Sequence, residues 1–217
     1  MELTASEIGE RLARADGLPR EDVAYFTRQI RNWTNLGFLL PVGRQGRGPK
    51  AASVFPQEAI FRARIFATLT ELGFDATRIR QISADLARGA SGPFDELPPS
   101  FNVGGAYASS NVIVDALRGI SAGERCRYEI RLVVDADGTK SLESGPTWPD
   151  YPQDTQDFGV RELARQAGLS GFKPPRRVLC TVTLDLNALF APLMEVDAPD
   201  LQSTAARVVL QREGLSD

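Results

Sequence analysis

The chain has 217 residues, of which 42% are hydrophobic and 24% charged, with a formal net charge of −3 and no histidine. This is folded globular material with room for one large domain or two small ones, and it excludes a disordered tail. The lack of histidine excludes a His-dependent zinc site, a His-based catalytic triad and a His general base.

The start, Met1-Glu-Leu-Thr-Ala-Ser-Glu7, is acidic and lacks the basic-then-apolar order of a signal peptide. With no apolar run long enough to span a bilayer, a cytoplasmic location is the expectation. Thr4-Ala-Ser-Glu7 has the form of a capping box, in which the threonine hydroxyl and the glutamate satisfy each other's end of the first helical turn. Ile8 and Leu12, four apart, then share a face, and Gly17 closes this first helix.

A second helix is predicted from Pro19 to Gly37, with proline at its start, acids in its first turn and glycine at its end. Val23, Phe26, Ile30 and Trp33 recur at helical spacing and predict a buried stripe. The opposite face carries Thr27, Arg28, Arg31, Asn32 and Asn35, with Ala24 between them. Guanidinium and amide groups are the ones that pair with guanine and adenine edges in a major groove, although any solvated helix face can also be polar. Phe38-Leu-Leu-Pro-Val42 and Ala51-Ala-Ser-Val-Phe55 read as two β-like segments. They flank Gly43-Arg-Gln-Gly-Arg-Gly-Pro-Lys50, a loop with three glycines and the cations Arg44, Arg47 and Lys50. Such a hairpin suits phosphate contact, because glycine permits close backbone approach and the cations neutralise charge. It lacks the spacing and the Lys-Ser/Thr pair of a nucleotide-binding loop. Phe61, Ile65, Leu69 and Leu72 mark a third helix ending at Gly73. Asp75 caps a fourth, with Ile79, Ile82 and Leu86 on its buried side.

Gly89 to Ser100 is rich in Gly, Pro and Ser and reads as a linker. Residues 1–90 carry thirteen Arg and Lys against ten Asp and Glu, whereas 91–217 carry twelve against eighteen. A basic front and an acidic back fit a nucleic-acid-binding head on a non-binding body. The domains are therefore placed at 1–88 and 101–217, with residues 89–100 between them.

In the second part, Ser109 or Ser110 can cap a helix carrying Val112, Ala116, Leu117 and Ile120. Arg125–Val134 alternates as a half-buried strand, Asp135-Ala-Asp-Gly138 is a hairpin turn, and Thr139–Ser144 can return as a strand. The turn does not have the spacing of a calcium loop. Trp148-Pro-Asp-Tyr-Pro-Gln is an irregular loop, Phe158–Ala167 a short helix and Arg177–Leu186 a strand. Asn187 caps a short apolar helix, Ala188–Met194, and Leu201–Gly214 is a final helix. Cys126 and Cys180 lie in apolar strand-like runs without metal-ligand spacing and are expected to be buried core residues. No nucleophile–base pair can be assembled, so no enzyme, metal or cofactor is expected.

Five pieces in order resemble the DNA-binding head of MerR-type bacterial regulators. Arg31-Asn-Trp33 stands at the family's arginine-aromatic element and Asn35-Leu-Gly-Phe-Leu-Leu-Pro41 at its Gly-Leu-Leu-Pro turn. Val54-Phe55 stands at the aromatic end of the wing, and Glu71-Leu-Gly-Phe74 with Thr77-Arg-Ile-Arg-Gln-Ile82 at the last two helices. The resemblance covers about residues 2–88. It implies an N-terminal winged helix-turn-helix head; the helices and antiparallel strands read in the second part suggest a small α+β domain after it, so the whole chain is expected to be α+β. The resemblance also implies double-stranded DNA as partner and a role as a sequence-specific transcriptional regulator of bacterial or phage type. The alternative is a DNA-architectural or DNA-processing factor, excisionase-like or for packaging, built on the same head. Base readout is expected from Thr27, Arg28, Arg31 and Asn32, and phosphate contact from Arg44, Arg47 and Lys50. The family's long coiled-coil helix has no counterpart, because Gly89, Gly92, Pro93, Pro98 and Pro99 break a helix there. A homodimer is therefore expected through residues 101–217. The family's metal-binding cysteines also have no counterpart.

Overall fold

The computed structural model describes residues 2–46, 48, 51–87, 112–135, 137–147, 149 and 177–196. Arg47, Lys50, the linker, the Trp148 loop, and the helices expected at Phe158–Ala167 and Leu201–Gly214 lie outside these, apart from residue 149. The fold is mixed α and β, with two small sheets. Two compact units form, one of the described residues up to Leu86 together with those from Asn187, the other within Ala87–Leu186.

The first unit opens on strand β1, Glu2–Thr4, which runs directly into helix α1, Ala5–Ala15. The capping box forms as expected. The Glu7 amide donates to Thr4 Oγ1 at 3.3 Å, and the Thr4 amide donates to Glu7 Oε2 at 2.6 Å. The Thr4 amide, then its hydroxyl, hold the Glu7 carboxyl below the usual carboxylate range. A 3-10 turn, Arg20–Asp22, leads into helix α2, Val23–Asn35. Helix α2 buries Phe26, Ile30 and Trp33 as its spacing predicts, whereas Val23, the first residue of the expected stripe, is only half-buried.

Strands β2, Gly43–Gln45, and β3, Ala52–Pro56, form an antiparallel hairpin, and β1 pairs on the other side of β3. The order is β1-β3-β2. The first strand of the hairpin thus starts later than Phe38–Val42. Phe38 and Leu39 are instead buried in an irregular turn, because Phe38 and Leu39 amides both close on the Trp33 carbonyl at the end of α2. Only Val42, whose amide donates to Val54 O at 2.8 Å, extends the pairing.

Helix α3, Ala59–Glu71, forms the middle of this unit. It buries Ile60, Phe61, Ala63, Ile65, Phe66 and Leu69, residues that point in most directions around its axis. The Phe66 ring meets Trp33 and Phe38 edge-on, at centroid distances of 5.8 and 6.0 Å. Leu72, expected on the buried side, follows the last turn and is 54% exposed. Helix α4, Ala76–Ala87, is capped by Asp75, whose Oδ1 accepts from the Arg78 amide. It buries Ile79, Ile82 and Leu86, and Ser83 donates to the Phe38 carbonyl. A half-buried ion pair, Arg64 to Asp16 at 2.6 Å, ties α3 to the end of α1.

The contact between α1 and α2 depends on Gly9. A Cβ there would stand 2.7 Å from Thr27 Oγ1 and 3.0 Å from the Thr27 backbone nitrogen. The hydroxyl is itself held by the Val23 carbonyl at 2.7 Å, so neither atom can step aside cheaply. Gly9→Val is expected to destabilise this unit by about 1–3 kcal/mol through overpacking. Urea unfolding should show a lower midpoint at unchanged slope; a midpoint equal to the parent's would refute the close contact.

The second unit contains helix α5, Val112–Ser121, and strands β4, Arg127–Val134, β5, Lys140–Thr147, and β6, Arg177–Asp185. The three strands are antiparallel in the order β5-β4-β6. The β4–β5 hairpin closes at Asp135–Gly138 as expected, with the Asp137 carboxylate accepting from the Thr139 amide. Tyr128 is fully buried and donates to Ser144 Oγ at 2.9 Å. The cysteines differ. Cys126 is buried and burial pushes its thiol up, whereas Cys180 is exposed on β6, contrary to the core role expected for both.

The last described helix, α6, Leu186–Val196, groups from Asn187 onward with the N-terminal unit and not with a 101–217 domain. Phe190 meets Phe61 of α3 edge-on at 4.8 Å, and both rings are fully buried.

Candidate nucleic-acid interface

Helix α2 presents a polar face because its apolar stripe is committed to the core. With Phe26, Ile30 and Trp33 inward, Ala24, Arg28, Arg31 and Asn35 fall on the opposite line at spacings of four, three and four, and all are exposed. Asn32 and Tyr25 flank this line and are exposed as well. Tyr25 OH accepts from Gln29 Nε2 at 3.2 Å, which sets one edge of the face.

Thr27 is not on that face. It is 8% exposed, with its hydroxyl turned to the Val23 carbonyl and its backbone against Gly9. The physical reason is helix–helix contact: α1 lies against α2 on this side, which a stripe read from α2 alone cannot reveal. Thr27 is therefore removed from the set expected to reach bases. Asn35, four residues after Arg31 and the last residue of α2, stands exposed on the same line.

Arg28, Arg31 and Asn32 are brought onto one exposed surface, and Arg44 stands exposed on β2, opposite Ser53 of β3. Ser53 also lines a cleft of about 400 Å³ with Arg31, Asn35, Thr4 and Ser6. The cleft thus connects the later half of α2, the start of α1 and the hairpin. Ser6 and Ser53 carried no signal in the sequence, because each enters the site only through the pairing of β1 with β3 and β3 with β2.

Ion pairing separates these arginines from Arg14, Arg64 and Arg78, but not from Arg20 and Arg80, which are also exposed and pair with no carboxylate among the described residues. Arg14 pairs with Glu10, Arg64 with Asp16, and Arg78 lies 3.9 Å from Asp75. Among the described residues, no carboxylate forms an ion pair with Arg28, Arg31 or Arg44. A guanidinium stays charged at any physiological pH, so this surface offers positive charge and paired donors without an internal acceptor. Among the described residues no group of three or more Cys, Asp or Glu is arranged to hold a metal ion. None of their helices is long and apolar enough to cross a membrane.

No protein-family model matches the chain, and no curated protein matches it.

Proposed function

We propose that the N-terminal unit is a winged helix-turn-helix of MerR-like type that binds double-stranded DNA, and that the chain is a sequence-specific transcriptional regulator. The observation that carries this reading is the exposed line Ala24–Arg28–Arg31–Asn35 on α2, next to a hairpin bearing Arg44. Helix α2 is a single helix with its apolar side fixed, and a major groove accepts one helix at a time. Arginine and asparagine on its outer face supply bidentate donors and acceptors for guanine and adenine. The hairpin β2–β3 plays the wing, and its cation contacts phosphate. Small residues at Ala24 and glycines in the hairpin allow close approach.

In this reading Arg44 positions the unit without reading sequence. Arg44→Ala is expected to weaken binding to all DNA sequences alike and to reduce the slope of log K against log salt by about 1. Titration at several salt concentrations measures this. A variant with altered sequence preference and an unchanged slope would contradict the assignment.

Mapping of bound sites across the source genome tests the regulatory role. Occupancy at promoters is expected. Occupancy confined to attachment or packaging sites, with bending of the DNA, would replace regulation by an architectural or processing role.

A further inference from the structure

We propose that Tyr25 is a phosphate-contacting residue of helix α2, its hydroxyl hydrogen aimed by Gln29 at the DNA backbone on the side of the groove away from the hairpin. This inference rests on the DNA-binding reading and names the group that meets the second wall of the groove.

An α-helix with its side chains is about 10–12 Å across, and the major groove is about 12 Å wide. A helix lying in the groove therefore brings both of its flanks up to rows of phosphates. The two flanks of the line Ala24–Arg28–Arg31–Asn35 differ. On one, Thr27 is enclosed against Gly9 of α1, and Thr34 lines the cleft together with Ser53 of the hairpin. That flank leads to Arg44, already assigned to phosphate. On the other, Tyr25 and Asn32 stand exposed, with Gln29 half-buried between them. Tyr25, Arg28 and Asn32, at spacings of three and four, make one outer row. Positions 25, 29, 32 and 36 carry no lysine or arginine, so a phosphate on this side is met by a neutral donor.

Tyr25 is held in place from two directions. Its ring meets the buried Phe26 ring edge-on at 5.5 Å, and its Oη accepts from Gln29 Nε2 at 3.2 Å. Core packing does not account for a tyrosine that is 44% exposed on a helix whose apolar stripe lies elsewhere. A tyrosine hydroxyl has a single hydrogen. Because Gln29 donates to the oxygen, that hydrogen is left to donate in turn, and no described residue accepts it. A phosphate oxygen only accepts, so it matches a hydroxyl whose oxygen is already engaged. Hydrogen bonds to an ionised acceptor are short and strong, and tyrosine is among the side chains that contact the DNA backbone. Gln29 acts through the tyrosine and is a positioning residue.

Binding of the full chain to duplexes that it retains from a random library at low salt tests this. Tyr25→Phe keeps the ring and is expected to weaken binding about tenfold on every sequence alike. Unlike Arg44→Ala, it should leave the slope of log K against log salt unchanged, because no cation is removed. Gln29→Met should weaken binding less, and should add nothing in a Tyr25→Phe background. Replacing the backbone phosphates one at a time by neutral methylphosphonate should locate a phosphate to which the parent is sensitive and Tyr25→Phe is not. Parental affinity in Tyr25→Phe, a change in its base preference, or equal sensitivity of parent and variant at every phosphate overturns the proposal and leaves the DNA-binding reading standing. A parent that retains no duplex overturns that reading and this inference together.

Discussion

Phe190→Ala is expected to destabilise the N-terminal unit by about 3–5 kcal/mol, the range for emptying a buried phenylalanine site. Phe190 lies more than a hundred residues beyond that unit's fourth helix, yet its ring is fully buried and packs edge-on against Phe61 at 4.8 Å. Truncation removes both the apolar transfer energy and the aromatic contact, and α3 cannot collapse into the gap because its other sides are already packed against Trp33, Phe38 and their neighbours. Small domains have only about 5–15 kcal/mol in total, so the loss should be visible as a large drop in the denaturation midpoint followed by Trp33 fluorescence. A midpoint within experimental scatter of the parent's would mean that α6 contributes nothing to this core. It follows that a fragment ending near residue 88 should be less stable than the same residues within the whole chain.

This contact also marks the limit of what the sequence revealed. The elements α1 to α4 were legible because each combines a local start signal with apolar residues at helical spacing: the Thr4–Glu7 box, the Phe26–Ile30–Trp33 stripe, the Asp75 cap. The β4–β5 hairpin was legible from alternation and from Asp-Gly at its turn. What depends on distant partners was not. Three residues, Glu2–Thr4, become a strand only by pairing with Val54–Pro56. Phe38 and Leu39 look like strand residues but close a helix end. Helix α6 is short and apolar, which says that it is buried but not against what. For the candidate site, the exposed arginines and Asn32 were legible because helical spacing fixes their direction once the apolar stripe is known. The misplacement of Thr27 came from the other helix: Gly9 allows α1 to approach so closely that a polar residue is enclosed.

The second large effect concerns specificity. Arg28→Ala is expected to leave the fold intact, because the side chain is exposed and holds no ion pair among the described residues. It should abolish preference at one or two base positions. A bidentate arginine–guanine contact contributes about 1–3 kcal/mol of discrimination, which corresponds to roughly fivefold to 150-fold in relative affinity. Arg28 sits in the second turn of α2, early in the helix, where base edges are usually reached. Arg31 lines the cleft towards the hairpin, so Arg31→Ala should act more on overall affinity and its salt dependence than on preference. Competition assays against a panel of single-base variants separate the two. Unchanged preference in Arg28→Ala, with affinity also unchanged, would remove α2 as the reading element.

Whether the exposed face of α2 reads DNA at all is tested most directly by selection from a random duplex library with the full chain at low salt, sequencing what is retained. The account predicts enrichment of a defined motif containing guanine or adenine at its core, lost when Arg28 and Arg31 are both replaced by alanine in a protein that remains folded. Retention of duplexes without any enriched sequence, or enrichment equal in the parent and the double variant, would contradict it.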